Sequence, residues 1–189
     1  GSASGIRREV YDGMLAIYRR LERLPELAEE LERRGGGDSE GRALLARIWD
    51  ELGEDERAIS AYRHALSRRR RDVDLHLRLI QVLARSGDIE PLIRQYHSLI
   101  AAAPREPRFV IELAQLLSQV GRGEEARRYL SPSARRFPRD AAFHRHLAEI
   151  YAAWGENALA AAERELLLRI DPGDSDHLIA LGSHHFEAG

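Results

Sequence analysis

Chemistry in this chain would have to come from histidine or arginine. Of eight histidines, His144, His146, His177, His184 and His185 fall in the last quarter, which raises the question of a metal site. Ligands on one helix share a face only at i, i+3 or i+4, and neither His144/His146 nor His184/His185 has that spacing. His146 and His177 could approach across adjacent helices, but a surface or packing role is the stronger reading. Arg68 to Arg71 form a second constellation, able to hold phosphate or a phosphopeptide. A basic helix C-terminus that complements the helix dipole accounts for the run more simply. The sequence has no Gly-rich phosphate loop, no His-Glu-x-x-His, no nucleophile elbow and no paired-carboxylate motif. It therefore predicts no catalytic residue, no cofactor and no metal ligand, and the segment is not read as an enzyme.

The elements that would carry any function are set by a period. Gly53, Gly87, Gly121, Gly155 and Gly189 are each 34 residues from the next, as are Leu45, Leu79, Leu113, Leu147 and Leu181, and Pro104, Pro138 and Pro172. Small residues keep the same beat at Ala46, Ala114, Ala148 and Gly182 and at Ala58, Ala126 and Ala160, with Ile80 and Leu92 as exceptions. A fixed period of this size means stacked supersecondary units. Within one unit, Val110, Leu113, Ala114 and Leu117 stand at i, i+3, i+4 and i+7, the stripe of an amphipathic helix. A second helix is expected from about Glu124 to Phe137. Gly121 lies between them, where a chain leaving a helix needs positive φ, and the closing Pro ends the unit. Ala114 and Ala126 should touch across the pair. One pair cannot bury its own stripe, so units must stack.

These residues resemble the tetratricopeptide repeat family. Leu45, Ala46, Trp49, Gly53, Ala58, Tyr62 and Ala65 match its pattern almost in full, with Arg70 where Pro is usual. The next unit carries Leu79, Leu83, Gly87, Tyr96 and Pro104, the third Leu113, Ala114, Gly121, Ala126 and Pro138, and the fourth Leu147, Ala148, Tyr151, Gly155, Ala160 and Pro172. The resemblance implies an all-α, right-handed α-solenoid of antiparallel helix pairs, about 11 helices here. It also implies that successive first helices line a concave groove for an extended peptide or a partner helix. Carried over, the groove positions are Glu40, Ala43, Leu44, Arg47, Asp50 and Glu51, then Asp74, Leu77, Arg78, Gln81, Ala84 and Arg85. They continue as Arg108, Ile111, Glu112, Gln115, Ser118 and Gln119, then Ala142, Arg145, His146, Glu149, Ala152 and Ala153. Leu77 and Ile111 offer apolar contact, Gln81, Gln115 and Gln119 can bond a peptide backbone, and Arg78, Arg85 and Arg145 can engage carboxylates, with His146 beside them. Chaperone-binding members clamp a carboxylate with Lys and Asn. This chain has no Lys, and its single Asn157 lies outside the groove, so that role is not carried over.

In chain order, residues 1–5 read as an expression scar and 6–189 as one array domain. A degenerate unit spans about 8–38, with Tyr11, Met14, Leu15 and Tyr18 on one helix, Leu27 and Leu31 on the next, and Glu22 at the turn Gly position. Gly35 to Gly37 supply a stop, and Asp38 and Ser39 the next cap. Regular units follow at 39–72, 73–106, 107–140 and 141–174, and a terminal helix at 175–189 implies a segment of a longer chain. Leu92 facing Ile80 should push its helix pair apart, and Pro132 should kink or break its helix near Leu130 and Ser131. All 29 basic residues are Arg, and Lys, Thr and Cys are absent, a bias that fits a GC-rich bacterial genome. Without Cys there are no disulfides, so the compartment stays open, cytoplasmic being preferred to secreted. Net charge is −2, giving no global pull toward nucleic acid or anionic lipid. The expected partner is a protein or peptide, with self-association through the array ends also open and neither nucleic acid nor membrane expected. The leading reading is a non-catalytic interaction scaffold. A regulatory or substrate-recruiting domain of a larger enzyme comes second, and a nucleic-acid-binding repeat last.

Overall fold

A computed structural model of the protein describes residues 3–33 and 38–170, and every regular element among them is an α-helix. Six helices belong to a compact unit Gly1–Ala103: α1 (Ala3–Arg20), α2 (Leu24–Arg33), α3 (Ser39–Glu51), α4 (Asp55–Arg68), α5 (Val73–Ser86) and α6 (Ile89–Ala102). Four belong to a second unit, Pro104–Gly189: α7 (Arg108–Gln119), α8 (Gly123–Arg136), α9 (Ala141–Ala153) and α10 (Asn157–Ile170). The expected eleventh helix at 175–189 lies outside the described residues, as do Gly35 to Gly37, Pro172, His177, His184 and His185.

Each helix pair is bounded by residues that repeat with the period. Asp38, Asp72 and Asp140 sit just before α3, α5 and α9, and their carboxylates accept from Gly41 N at 3.0 Å, Leu75 N at 3.1 Å and Phe143 N at 2.8 Å. Each thereby satisfies one of the amides left bare at a helix start. At the turns between paired helices, Gly53, Gly87, Gly121 and Gly155 all take φ between 74° and 77°. Glu22 takes the same conformation, φ 57°, and closes the same turn, with Arg23 N donating to Tyr18 O at 2.9 Å and Glu22 N to Arg19 O at 3.1 Å.

Burial follows the stripes. In the first unit α3 packs on α1, α2 and α4, and α5 on α4 and α6. Ala46, Ala58 and Ala65 are fully buried there among Leu44, Ile48, Tyr62, Leu79 and Leu99, while Ile80 and Leu92 are both buried in the α5–α6 pair. In the second unit α7 packs on α8 and α9, and α9 on α10, around Phe109, Leu113, Leu117, Leu130, Phe143 and Leu147. Ala114 and Ala126 are fully buried in the α7–α8 pair. Truncating one large core side chain would cost about 2–5 kcal/mol.

Pro132 does not break its helix. α8 runs continuously from Gly123 to Arg136 with the proline inside and exposed. Proline deprives a helix of one donor but its fixed φ is helical, and here Ala126, Leu130 and Ser133 hold the buried face on both sides of it. No helix among the described residues is long and apolar enough to cross a membrane.

Candidate functional site

The first helices of each unit carry the positions assigned to a groove, and the two units treat that face differently. In the first unit, α1, α3 and α5 are tied together by ion pairs. Arg47 of α3 pairs with Asp12 of α1, and Arg19 Nε of α1 donates to Glu51 Oε2 at 2.9 Å. Arg85 of α5 reaches back to Asp50 at 2.6 Å and to Asp55, at the start of α4, at 2.7 Å. Arg69 bridges Glu40 at 2.7 Å and Asp72. Tyr62 adds its hydroxyl to Asp50 Oδ2 at 3.2 Å, and burial above all, then the Asp50 charge, pushes its phenol above the ordinary tyrosine range. The cleft left among Tyr11, Ala43, Leu44, Arg47, Asp74 and Leu75 has a volume of about 30 Å³, room for one water.

Two of the groove arginines expected from sequence have partners within the chain. Arg78 Nε donates to Asp74 at 3.1 Å, and Arg85, itself half exposed, pairs with Asp50 and Asp55. For Arg85 the repeat itself brings Asp50 within reach of a residue 35 positions on, whereas Arg78 and Asp74 are neighbours on one helix. Leu77 is half-buried and Gln81 exposed.

In the second unit the corresponding face is open. A cleft of about 350 Å³ lies along α7 and α9, lined by Glu106, Pro107, Arg108, Ile111, Glu112, Gln115, Asp140, Ala142, Phe143 and His146. Arg108, Ile111 or Glu112, and Gln115 recur on one face of α7, and Ala142 and His146 on one face of α9, because residues three and four apart are neighbours on a helix. Phe143 is fully buried and Ile111 5% exposed, giving an apolar floor. Arg108, Gln115, Ala142 and His146 stand at the rim, with Glu112 half-buried. The Arg108 guanidinium lies 4.5 Å over the Phe109 ring, which holds it at one end. His146 Nδ1 donates to Ala142 O at 2.8 Å, which fixes the ring against the first turn of α9. A neutral backbone can find donors and acceptors on this rim and an apolar side chain can find the floor.

Of the groove positions carried over from sequence, Arg108, Ile111, Glu112, Gln115, Ala142 and His146 line that cleft together. Gln119 and Arg145 are exposed and do not line it. Phe143, Pro107 and Asp140 line it without having been singled out. Phe143 had a signal, since it stands 34 residues after Phe109 and both rings are fully buried.

Two of the described histidines are buried packing groups. His144 is 1% exposed, with Nε2 donating to Phe137 O at 3.0 Å and Nδ1 facing Glu163 Oε2 at 2.6 Å. His76 is its counterpart in the first unit, Nε2 donating to Arg70 O at 3.0 Å and Nδ1 accepting from Gln95 at 2.6 Å. Among the described residues no group of three or more His, Asp or Glu could hold a metal ion.

No family model matches the sequence, and no curated protein matches it. Among solved structures, the chain aligns with a MamA double mutant of strain RS-1 at 16% identity and TM-score 0.57, over 87% of this chain and 94% of that one. It aligns with YrrB, described as a TPR protein with an unusual peptide-binding site, at 16% identity and TM-score 0.53, over 86% and 83% of the two chains. A thermophilic TPR protein of Thermus thermophilus, TTC0263, aligns at 18% identity and TM-score 0.50, over 95% and 99%. At these identities the likeness concerns the fold alone.

Proposed function

We propose that this chain, which has the tetratricopeptide repeat fold, is a non-catalytic interaction module whose α7–α9 cleft takes an extended segment of a partner protein. The observation that carries the reading is the open cleft of about 350 Å³ along α7 and α9, with its apolar floor and polar rim, where α1, α3 and α5 are instead joined by ion pairs. A volume of that size is in the range of preformed ligand sites. An apolar floor of Ile111 and Phe143 suits one anchoring side chain, and Gln115, His146 and Arg108 suit the peptide groups beside it. YrrB, a protein of the same fold, is described as peptide-binding.

Peptides selected from a display library against the whole chain test this. Ala142→Trp, which fills the cleft from a rim position, should weaken the selected peptides about tenfold or more, whereas Ala162→Trp on the outer side of α10 should leave them unchanged. Selected peptides that bind both variants and the parent equally would sink the proposal.

A further inference from the structure

The Arg68–Arg71 run splits into separate duties. Arg68 closes α4, where a cation suits the negative helix end, and Arg69 is consumed by Glu40 and Asp72. Arg70 and Arg71 stand instead at the mouth of a cavity of about 410 Å³ on the α4–α6 side of the first unit, which Arg63 joins from α4. No acidic residue lines the cavity, and none of the three arginines has an ion pair among the described residues. Elsewhere in the same unit Arg19, Arg47, Arg57, Arg69 and Arg85 are each paired with a carboxylate from another helix or turn. The cavity is also built. His76 at its base is 4% exposed and bonded on both ring nitrogens, and its bond to Arg70 O fixes the backbone that carries Arg70 and Arg71. Leu66 and Ala101 supply an apolar wall.

We propose that this cavity is a second docking site, which takes an acidic segment of a partner protein. Its carboxylates would lie on Arg63, Arg70 and Arg71, with one apolar side chain against Leu66 and Ala101. Guanidinium groups pair bidentately with carboxylates, and three unopposed ones around one opening favour an anionic partner. The apolar wall selects a peptide over a bare anion. Nucleic acid fits less well, because the one ring of the cavity, His76, is buried and its nitrogens are occupied, which leaves no aromatic face for a base to stack on. The site lies within Gly1–Ala103 and does not depend on the α7–α9 cleft.

The test uses the full chain and two fluorescent peptides, a Glu-Glu-Leu-Glu repeat and the same repeat with Gln for every Glu, followed by anisotropy at low and moderate salt. The acidic peptide should bind, with affinity falling as salt rises, and the Gln peptide should bind about tenfold more weakly or not at all. Arg70→Glu/Arg71→Glu should lose the acidic peptide, and so should Ala101→Glu, which puts a competing carboxylate at an exposed wall position without touching the arginines. Ala142→Trp should not affect it. Equal binding by both peptides, or full retention by both charge variants with native circular dichroism, overturns the site. Displacement by inorganic phosphate as effective as by unlabelled peptide, at matched ionic strength, reduces it to a simple anion site and overturns the peptide assignment.

Discussion

Glu22 is the one described non-glycine residue with positive φ, at 57°, and it occupies a turn that glycine fills in the four other helix pairs. The left-handed conformation costs an L-residue about 1–2 kcal/mol, and glycine gives back roughly 0.5–1 kcal/mol of that as extra freedom in the unfolded chain. Glu22→Gly should therefore stabilise the protein by about 0.5–1 kcal/mol, read as a rise of some 2–4 °C per kcal/mol in thermal midpoint. No rise would mean that the Glu22 side chain contributes something its backbone does not reveal. The 34-residue period carried back from Gly53 falls on residue 19, so Glu22 was legible as the turn only by reading the unit 8–38 as about three residues short of the period. The histidine pairs were not, because the partners of His76 and His144 lie 19 residues on, across a helix pair. His76–Gln95 and His144–Glu163 stand 68 residues apart, two periods, and use the same ring atoms. Glu163→Gln should accordingly be tolerated within about 0.5 kcal/mol, with the amide donating to Nδ1 as Gln95 does. His144→Ala should cost about 2–3 kcal/mol by chemical denaturation, because it strands the Phe137 carbonyl and opens a cavity at a fully buried site. Equal costs for the two variants would contradict the shared arrangement.

At the scale of elements, the sequence specifies helix limits well because the signals are local. Aspartates at the starts and glycines at the ends act within a few residues, and each sits where the period repeats it. Pro132 shows where local signals fail. Its missing donor argues for a break, yet α8 is continuous because packing of Ala126, Leu130 and Ser133 outweighs one lost hydrogen bond. The penalty is still carried. Pro132→Ala, at an exposed position, should raise stability by about 1–3 kcal/mol and leave the helix content unchanged. A loss of stability would mean that the proline is favoured by contacts or by unfolded-state restriction, and the helix-interior account of it would be wrong. The ion pairs that fill the first unit's groove face were invisible for a different reason. Asp12–Arg47 and Asp50–Arg85 join residues 35 apart, so they exist only once consecutive first helices are laid side by side.

At the scale of the molecule, the period identified a stacked array of helix pairs, and the resemblance to the tetratricopeptide repeat family implied the solenoid and the face its first helices would line. Neither said which part of that face stays open. That depends on whether charged positions find opposite charges one unit away, and α1, α3 and α5 do so where α7 and α9 present Ile111, Gln115 and His146 instead. The two compact units thus carry different surfaces, an open first-helix cleft in the second and an arginine-edged cavity on the α4–α6 side of the first. The α7–α9 cleft is proposed as the working surface for an extended peptide. The most direct measurement is differential hydrogen exchange of the whole chain with and without a display-selected peptide at saturating concentration. Slowed exchange is expected to concentrate in residues 107–116 and 140–147, with α8 and α10 unchanged. Protection confined to α8 and α10, or to the first unit, with none along α7 and α9, would contradict it.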